Sequence, residues 1–158
     1  MDSSALSREL LPPLRFADLE EGRHFGPTMF ETSPELVARF TAVTGDDNPA
    51  YRDHEASLRL GFSGPILPPG LTGVWARQAY LAEHRMLPGG VMAGLTIELV
   101  RPATVGTTLE LHAEIELVDR DHPKQRVVLR SEAYDREGLT AKAWIDARWP
   151  PDNDKSDR

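Results

Sequence analysis

Apolar residues recur every three to four positions in the first half of the chain and every second position in its second half. Ahead of that change, one apolar stripe consists of Leu36, Val37, Phe40 and Val43. Ser33 and Pro34 are a typical N-cap and first helical residue, and Gly45 favours a left-handed helix end. The spacing therefore predicts a helix from Pro34 to just before Gly45, with Asp46 at its exit.

Two more helices are predicted between residues 53 and 86. Asp53 is a candidate N-cap for a short helical segment over residues 55–60, which ends at Gly61. A longer helix fits residues 70–86, because its apolar positions recur at helical spacing. These positions are Leu71, Val74, Trp75, Ala79, Ala82 and Met86.

Beyond Pro88-Gly89-Gly90 the period changes to two, which predicts four strands. Their alternating apolar positions are Leu95-Ile97-Leu99, Leu109-Leu111-Ala113-Ile115-Leu117, Val127-Leu129 and Ala141-Ala143-Ile145-Ala147. Turn residues in the connections favour antiparallel neighbours, and a short strand around Thr28-Met29-Phe30 precedes the helices. The pattern therefore predicts an α+β fold with its helices and strands in separate parts of the chain.

The composition narrows the class of protein. The 158 residues suit a single domain with one core. A net charge of −7 disfavours nucleic acid or an anionic membrane as a partner, and no apolar run approaches the ~20 residues that span a bilayer. The chain has no cysteine, which fits a cytoplasmic protein, and its five scattered histidines lack metal-ligand spacing. We therefore expect no metal site and no cofactor.

Two motifs contain the candidate catalytic and substrate-binding residues. The first runs from Thr44 to Asp53 as TGDDNPAYRD, and the second runs from Phe62 to Leu71 as FSGPILPPGL. Together they resemble the signature of the MaoC-like or (R)-specific enoyl-CoA hydratase family. That signature reads T/S-G-D-x-N-P-x-H-x-D and then F-x-x-P-I-x-H-G-M-L, and the resemblance covers roughly residues 16–149.

The resemblance implies a hotdog fold, in which an antiparallel sheet wraps around a long central helix. It also implies a thioester substrate, an acyl-CoA or an acyl-carrier-protein thioester. The expected assembly is a homodimer, or a heterodimer with another MaoC-like chain, with the acyl pocket between subunits. The hotdog domain is expected over residues 16–149. Residues 1–15 are then expected to form a flexible N-terminal segment, and residues 150–158 a disordered polar tail.

By this resemblance Asp46 falls on the family's catalytic aspartate, whereas the position of the catalytic histidine carries Tyr51. The family's His-Gly-Met is Pro68-Pro69-Gly70 here, and Pro69 has no N–H to donate to a thioester oxygen. We therefore expect Asp46 to act as the acid or base. Tyr51 is expected to act as a hydrogen-bond donor, because a phenol titrates near ~10.

Asn48, Ser63 and Gly70 are the expected substrate-binding residues. The amide of Asn48 can orient a water or a thioester carbonyl, although Asn before Pro is also ordinary turn chemistry. Ser63 falls in the loop before Pro-Ile and can present a hydroxyl or an N–H, while Gly70 can offer its own N–H. His54 is an alternative titrating base with a solvent-facing sequence environment.

Three functions remain open. The first is an acyl-thioester hydratase or dehydratase, which is a lyase. The second is a non-catalytic hotdog subunit that binds the acyl chain and pairs with a catalytic MaoC-like partner, as the loss of both the histidine and the loop glycine predicts. The third is a thioesterase or another activity on a remodelled hotdog pocket, since a fold does not fix its chemistry. The first two are close rivals, and the third comes after them.

Overall fold

The computed structural model describes residues 10–152. Its helices are α1 (Pro34–Thr44), α2 (His54–Arg59) and α3 (Thr72–Leu81), with short 3₁₀ turns at Phe16–Asp18, Pro49–Tyr51 and Pro69–Leu71. Its strands are β1 (Pro13–Leu14), β2 (His24–Glu31), β3 (Arg85–Met86), β4 (Val91–Leu99), β5 (Thr108–Asp119), β6 (Arg126–Asp135) and β7 (Gly138–Arg148). No helix within the described residues is both long and apolar enough to cross a membrane.

Five strands form one antiparallel sheet in the order β2-β5-β6-β7-β4. The period of two arises because alternate residues of each strand face the core. In β5, for example, Leu109, Leu111, Ala113 and Ile115 are buried, whereas the intervening Glu110 is exposed. The four strands predicted after residue 90 and the short N-terminal strand are confirmed.

The inner face of the sheet packs against α3, which contacts β2, β5, β6 and β7. Trp75, Ala76, Ala79 and Tyr80 of this helix are buried, and burial raises the pKa of Tyr80 to about 12. Ser131 Oγ of β6 donates a hydrogen bond of 2.9 Å to the carbonyl of Ala76. One antiparallel sheet packed on one central helix confirms the predicted α+β class.

The central helix is shorter than the sequence pattern predicts. The predicted helix of residues 70–86 is a 3₁₀ turn followed by α3, which ends at Leu81, while Arg85–Met86 form β3. Strand β3 pairs in parallel with β1, and the Arg85 N–H donates to the Pro12 carbonyl at 3.0 Å. The apolar period continues through β3, but a backbone partner from the start of the chain holds these residues in an extended conformation. Local periodicity carries no information about such a partner.

The two ends of the described chain contact each other. The flexible segment predicted for residues 1–15 and the tail predicted for residues 150–158 lie partly outside the described residues. The Asp152 carboxylate accepts hydrogen bonds from the backbone N–H of Phe16 at 2.7 Å and from the next N–H at 3.0 Å. It thereby caps the first 3₁₀ turn, whose free N–H groups a carboxylate stabilises. Residues on both sides of the predicted domain boundaries thus make contacts with each other.

An ion pair between Arg101 and Asp135 joins the loop after β4 to the turn between β6 and β7. The guanidinium donates to both carboxylate oxygens of Asp135, to one of them at 2.9 Å, and to the Gly138 carbonyl at 3.0 Å. The Asp135 side chain is only 9% exposed, and the hydrogen bonds from Arg101 lower the pKa of Asp135. Such a carboxylate stabilises the folded protein at pH values above the pKa that it has in the unfolded chain. This stabilisation is lost as the pH falls through the lower pKa that the group has in the folded protein.

Asp135→Asn is expected to lower the free energy of unfolding by about 1–3 kcal/mol at pH 7, because it removes charge-assisted bonds from a nearly buried group. The difference from the native protein should shrink below a pH of about 4, where the aspartate of the unfolded chain becomes protonated. Urea unfolding at several pH values measures both effects.

Glu137→Gln is the control, since Glu137 pairs with the same guanidinium at 3.6 Å but is 83% exposed. We expect it to cost less than about 1 kcal/mol. An Asp135 effect that stayed constant at low pH would contradict the prediction.

Candidate functional site

Asp46 stands where α1 ends, as the sequence predicts. The Ser33 hydroxyl accepts a hydrogen bond from the Leu36 N–H at 3.2 Å and so begins the helix, and Gly45 ends it with a φ of 70°. Glycine adopts this left-handed φ without strain, so the chain turns immediately after the helix. Asp46 is left half-buried beyond the turn, and its Oδ1 accepts from the Asn48 N–H at 3.4 Å.

Tyr51 lies near the same carboxylate, on the 3₁₀ turn that follows. Tyr51 is 7% exposed, and the side chains of Asp46 and Asn48 are close enough to shift the pKa of its phenol. Burial is the main cause that raises the pKa of Tyr51, and the charge and hydrogen bond of Asp46 raise it further. The phenol is therefore protonated at neutral pH and can serve as a hydrogen-bond donor, whereas a histidine at this position could also accept a proton.

Asn48 holds the turn together beside this pair. Its Oδ1 accepts from the Ala50 N–H at 3.0 Å, which begins the 3₁₀ turn Pro49–Tyr51. The Asn48 side chain also opposes the rise in the Tyr51 pKa. The Asn48 oxygen therefore helps to form the turn, and the same side chain lies near Tyr51.

The loop of the second motif is joined to the Tyr51 turn through the backbone. The Ile66 N–H donates to the Ala50 carbonyl at 3.0 Å, and Ser57 Oγ donates to the same carbonyl at 2.8 Å. Gly70 lies against α1, because a Cβ at this position would be 3.2 Å from Cζ of Phe40. The loop and α1 are thus packed closely together, and a side chain at position 70 would require the Phe40 ring to shift by a few tenths of an ångström.

The structure brings three of the five predicted site residues close together, namely Asp46, Asn48 and Tyr51. Gly70 is placed against α1 through the ring of Phe40. Ser63 is exposed and instead lines a polar groove, together with Arg101 and Asp135. The alternative base, His54, is also exposed.

An apolar cavity of about 300 Å³ lies beside the second motif and was not predicted from the sequence. Its walls come from the motif loop, α3, the end of β4 with the residues after it, and the starts of β5 and β7. Two alanines, Ala103 and Ala141, line it where larger apolar residues would fill space. Asp46 and Tyr51 do not line this cavity.

The architecture is that of hotdog proteins. The structure is similar to the unliganded R-hydratase PhaJ1 from Pseudomonas aeruginosa, with a TM-score of 0.72 at 23% identity, over 87% of this chain and 86% of that chain. It is also similar to a C-terminally truncated HadBC complex, a 3R-hydroxyacyl-ACP dehydratase of Mycobacterium tuberculosis. There the TM-score is 0.71 at 23% identity, over 80% of this chain and 95% of that chain. The hotdog fold implied by the two motifs is confirmed.

Sequence comparison defines the family. Residues 20–141 match the FAS1-like dehydratase domain region, and the chain belongs to this family. A UPF0336 protein of Streptomyces avermitilis is 30% identical over 130 residues, which cover 74% of this chain and 83% of that protein. The relationship to proteins of the hydratase and dehydratase type, which the motifs indicated, is therefore confirmed.

Proposed function

We propose that this protein acts as a hydratase or dehydratase on acyl thioesters carried by coenzyme A or by an acyl carrier protein. The observation that supports this most directly is the placement of the buried Tyr51 next to the Asp46 carboxylate at the exit of α1, where the charge of Asp46 raises the pKa of the phenol. The bond between Ile66 and Ala50 holds this pair close to the second motif loop. The apolar cavity beside that loop suits an acyl chain.

Asp46 is the acid–base group of the proposed reaction. In hydration, its carboxylate accepts a proton from water while the water oxygen bonds to Cβ of the enoyl thioester, and a proton is then delivered to Cα. Tyr51 orients the carboxylate by donating to it. Negative charge that develops on the thioester oxygen needs an N–H donor. Pro69 has none, so the proposal assigns this role to the N–H of Gly70.

A second candidate is a non-catalytic subunit that binds the acyl chain and pairs with a catalytic MaoC-like chain. Tyr51 supports it, because a buried phenol with a raised pKa is a poor proton acceptor at neutral pH. Pro69 supports it as well, since it removes one donor to the thioester oxygen. The similar HadBC protein is itself a complex.

Hydration of crotonyl-CoA by the purified chain decides between the two candidates, with the loss of the enoyl thioester as the readout. Hydration by the chain alone supports the first. The second predicts no hydration by the chain alone, binding of the thioester, and hydration once a MaoC-like chain with an intact Asp-x-Asn-Pro-x-His motif is added. If the protein neither hydrates nor binds the thioester under any of these conditions, both candidates are wrong.

We expect the chain to assemble as a dimer through the open edge of its sheet, either with itself or with a MaoC-like chain. Strand β4 lies at that edge with large apolar residues exposed, including Val91 at 56% and Met92 at 53%. An unpaired edge of this kind is a surface for pairing with another strand. Light scattering at micromolar concentration should therefore give the mass of two chains.

Met92→Lys should shift the native dimer toward monomer, because it places a charge in the paired edge. Met29→Lys is the matched control, since Met29 is 59% exposed on β2 at the opposite edge of the sheet. A monomeric native chain that also fails to pair with a MaoC-like partner would contradict this prediction. An equal effect of the two substitutions would show that β4 is not the contact.

A further inference from the structure

Ser57 is a buried polar residue of α2 that belongs to neither motif. It is 0% exposed, and its Oγ donates a hydrogen bond to the Ala50 carbonyl at 2.8 Å. The Asp53 carbonyl is the second acceptor within reach, at 3.0 Å. A bond to the carbonyl four residues earlier is available to any serine in a helix, whereas Ala50 lies in a different element. The hydroxyl therefore joins α2 to the 3₁₀ turn that carries Tyr51.

The Ala50 carbonyl is the point at which the two motifs meet. Ala50 precedes Tyr51 in the first motif, and its carbonyl also accepts from the N–H of Ile66 in the second motif at 3.0 Å. A carbonyl oxygen has two lone pairs, and the Ile66 N–H and the Ser57 hydroxyl use both. Because Ala50 is buried, loss of the hydroxyl would leave this carbonyl with one donor instead of two.

The backbone of Ser57 makes a second connection between the motifs. Its carbonyl accepts at 3.1 Å from the N–H of Phe62, the first residue of the second motif. The loop of that motif is in turn attached ahead of β5, where the Leu67 N–H donates to the Ala103 carbonyl at 2.9 Å. Ser57 thus lies between the turn that carries Tyr51 and a loop that is fixed to the rest of the fold.

We propose that Ser57 is a positioning residue, whose hydroxyl fixes the 3₁₀ turn so that the Tyr51 phenol is held beside the Asp46 carboxylate. It acts through the Ala50 carbonyl and takes no part in the proton transfers. The consequence for catalysis rests on the proposed function, whereas the placement of Tyr51 does not. Misplacing a reacting group by about 1 Å can cost ~10²-fold in rate, so one bond that fixes the turn is enough to affect turnover.

A second buried serine separates positioning from stability. Ser131 is also 0% exposed, and its Oγ donates to the Ala76 carbonyl at 2.9 Å. That bond joins β6 to α3 and involves neither motif. Ser57→Ala and Ser131→Ala therefore remove the same kind of bond from equally buried positions, and both should lower the unfolding temperature by a similar amount. Only Ser57→Ala should change the candidate site.

The kinetics of crotonyl-CoA hydration test the consequence for catalysis. Ser57→Ala should lower kcat about tenfold and change KM by less than about twofold, because it disturbs the acid–base pair and leaves the substrate contacts in place. Ser131→Ala should change neither value by more than about twofold. An effect on protein stability alone would not separate kcat from KM in this way.

The Tyr51 phenol gives a readout that needs no activity. Tyrosine that is isotopically labelled at Cζ gives one NMR signal for each of the three tyrosines, and Tyr51→Phe identifies the signal of Tyr51. Burial, and after it the charge of Asp46, raise the pKa of Tyr51, so its titration should lie above ~10 in the native protein. In Ser57→Ala the pKa should fall toward that value, because the turn no longer holds the phenol beside the carboxylate. Ser131→Ala should leave it unchanged.

An unchanged Tyr51 titration in Ser57→Ala, or an equal change in Ser131→Ala, would overturn the inference. So would an unchanged kcat in Ser57→Ala when the native chain is active. A lowered Tyr51 pKa in Ser57→Ala, together with a native chain that does not hydrate crotonyl-CoA, would support the placement of Tyr51 and reject the hydratase. If Ser57→Ala does not fold, Ser57→Cys replaces it, because a thiol is a weaker donor of similar size and should cause a smaller change in the same direction.

Discussion

Tyr51→His combined with Pro69→Gly is expected to raise the rate of crotonyl-CoA hydration by ~10²-fold or more. Histidine titrates near neutral pH, whereas burial and the charge of Asp46 raise the pKa of Tyr51. A positioned general acid–base group contributes ~10²–10⁴-fold, and one donor to a developing oxyanion contributes ~10²–10³-fold. The Asp46 and Asn48 side chains already lie near the side chain at position 51. The value of kcat/KM for crotonyl-CoA is the measurement.

Each single substitution is expected to do less than the pair, since both groups act on one transition state and need not be additive. Tyr51→Phe is the control for residue 51, because it keeps the buried ring but removes the donor to Asp46, and it should bring no gain. Pro69 opens a 3₁₀ turn, so glycine at this position should also cost about 0.4–1 kcal/mol of stability, which thermal unfolding measures. A native protein that already hydrates crotonyl-CoA at ~10 s⁻¹ or more would contradict this prediction. Tyr51 would then be a full partner of Asp46.

Asp46→Asn is expected to lower hydration by the native protein ~10²-fold, because the amide cannot accept the proton of the attacking water. The substitution keeps the shape of the side chain and an oxygen that can accept from Tyr51, so the fold should be unaffected. Asp47→Asn is the matched control, since Asp47 is the neighbouring carboxylate and is exposed. The readouts are kcat/KM for crotonyl-CoA and the affinity for a saturated acyl-CoA, which separate a catalytic effect from a binding effect.

The same substitution in the Tyr51→His, Pro69→Gly background should remove the activity that the pair adds, because the histidine needs the carboxylate as its partner. A change below about twofold in both hydration and binding would show that Asp46 lies outside the site. A loss of equal size from Asp47→Asn would mean that negative charge in this region, rather than the position of Asp46, controls the activity.

Much of the fold follows from local sequence signals. Ser33 and Gly45 predict both ends of α1, because a side-chain cap and a left-handed glycine act within a few residues of their own positions. The strands of the sheet follow from the period of two, since one face of each strand packs on the core. The same signals place Asp46 at a helix exit, and the spacing of the first motif brings Tyr51 and Asn48 close to it.

Only those residues of the candidate site that lie close together in the sequence could be predicted to lie together in the structure. Ser63 belongs to the second motif, but it lines the polar groove together with Arg101 and Asp135. Gly70 was expected to offer an N–H to substrate, and the structure adds a steric reason for glycine there in the ring of Phe40. The apolar cavity could not be predicted, because its walls come from the motif loop, α3 and three strands, which are separate segments of the chain.

By itself, the sequence determined the α+β class, the positions of α1, α2 and the five sheet strands, and the family to which the two motifs belong. These features depend on backbone preferences and one-sided burial that are local to each segment. Only the tertiary structure decided that Arg85–Met86 leave the predicted helix to pair with β1, that Asp152 caps the turn at Phe16, and that an apolar cavity opens beside Pro69. Each of these depends on contacts between residues far apart in the chain, and the periodicity of one segment does not specify the segment against which it packs.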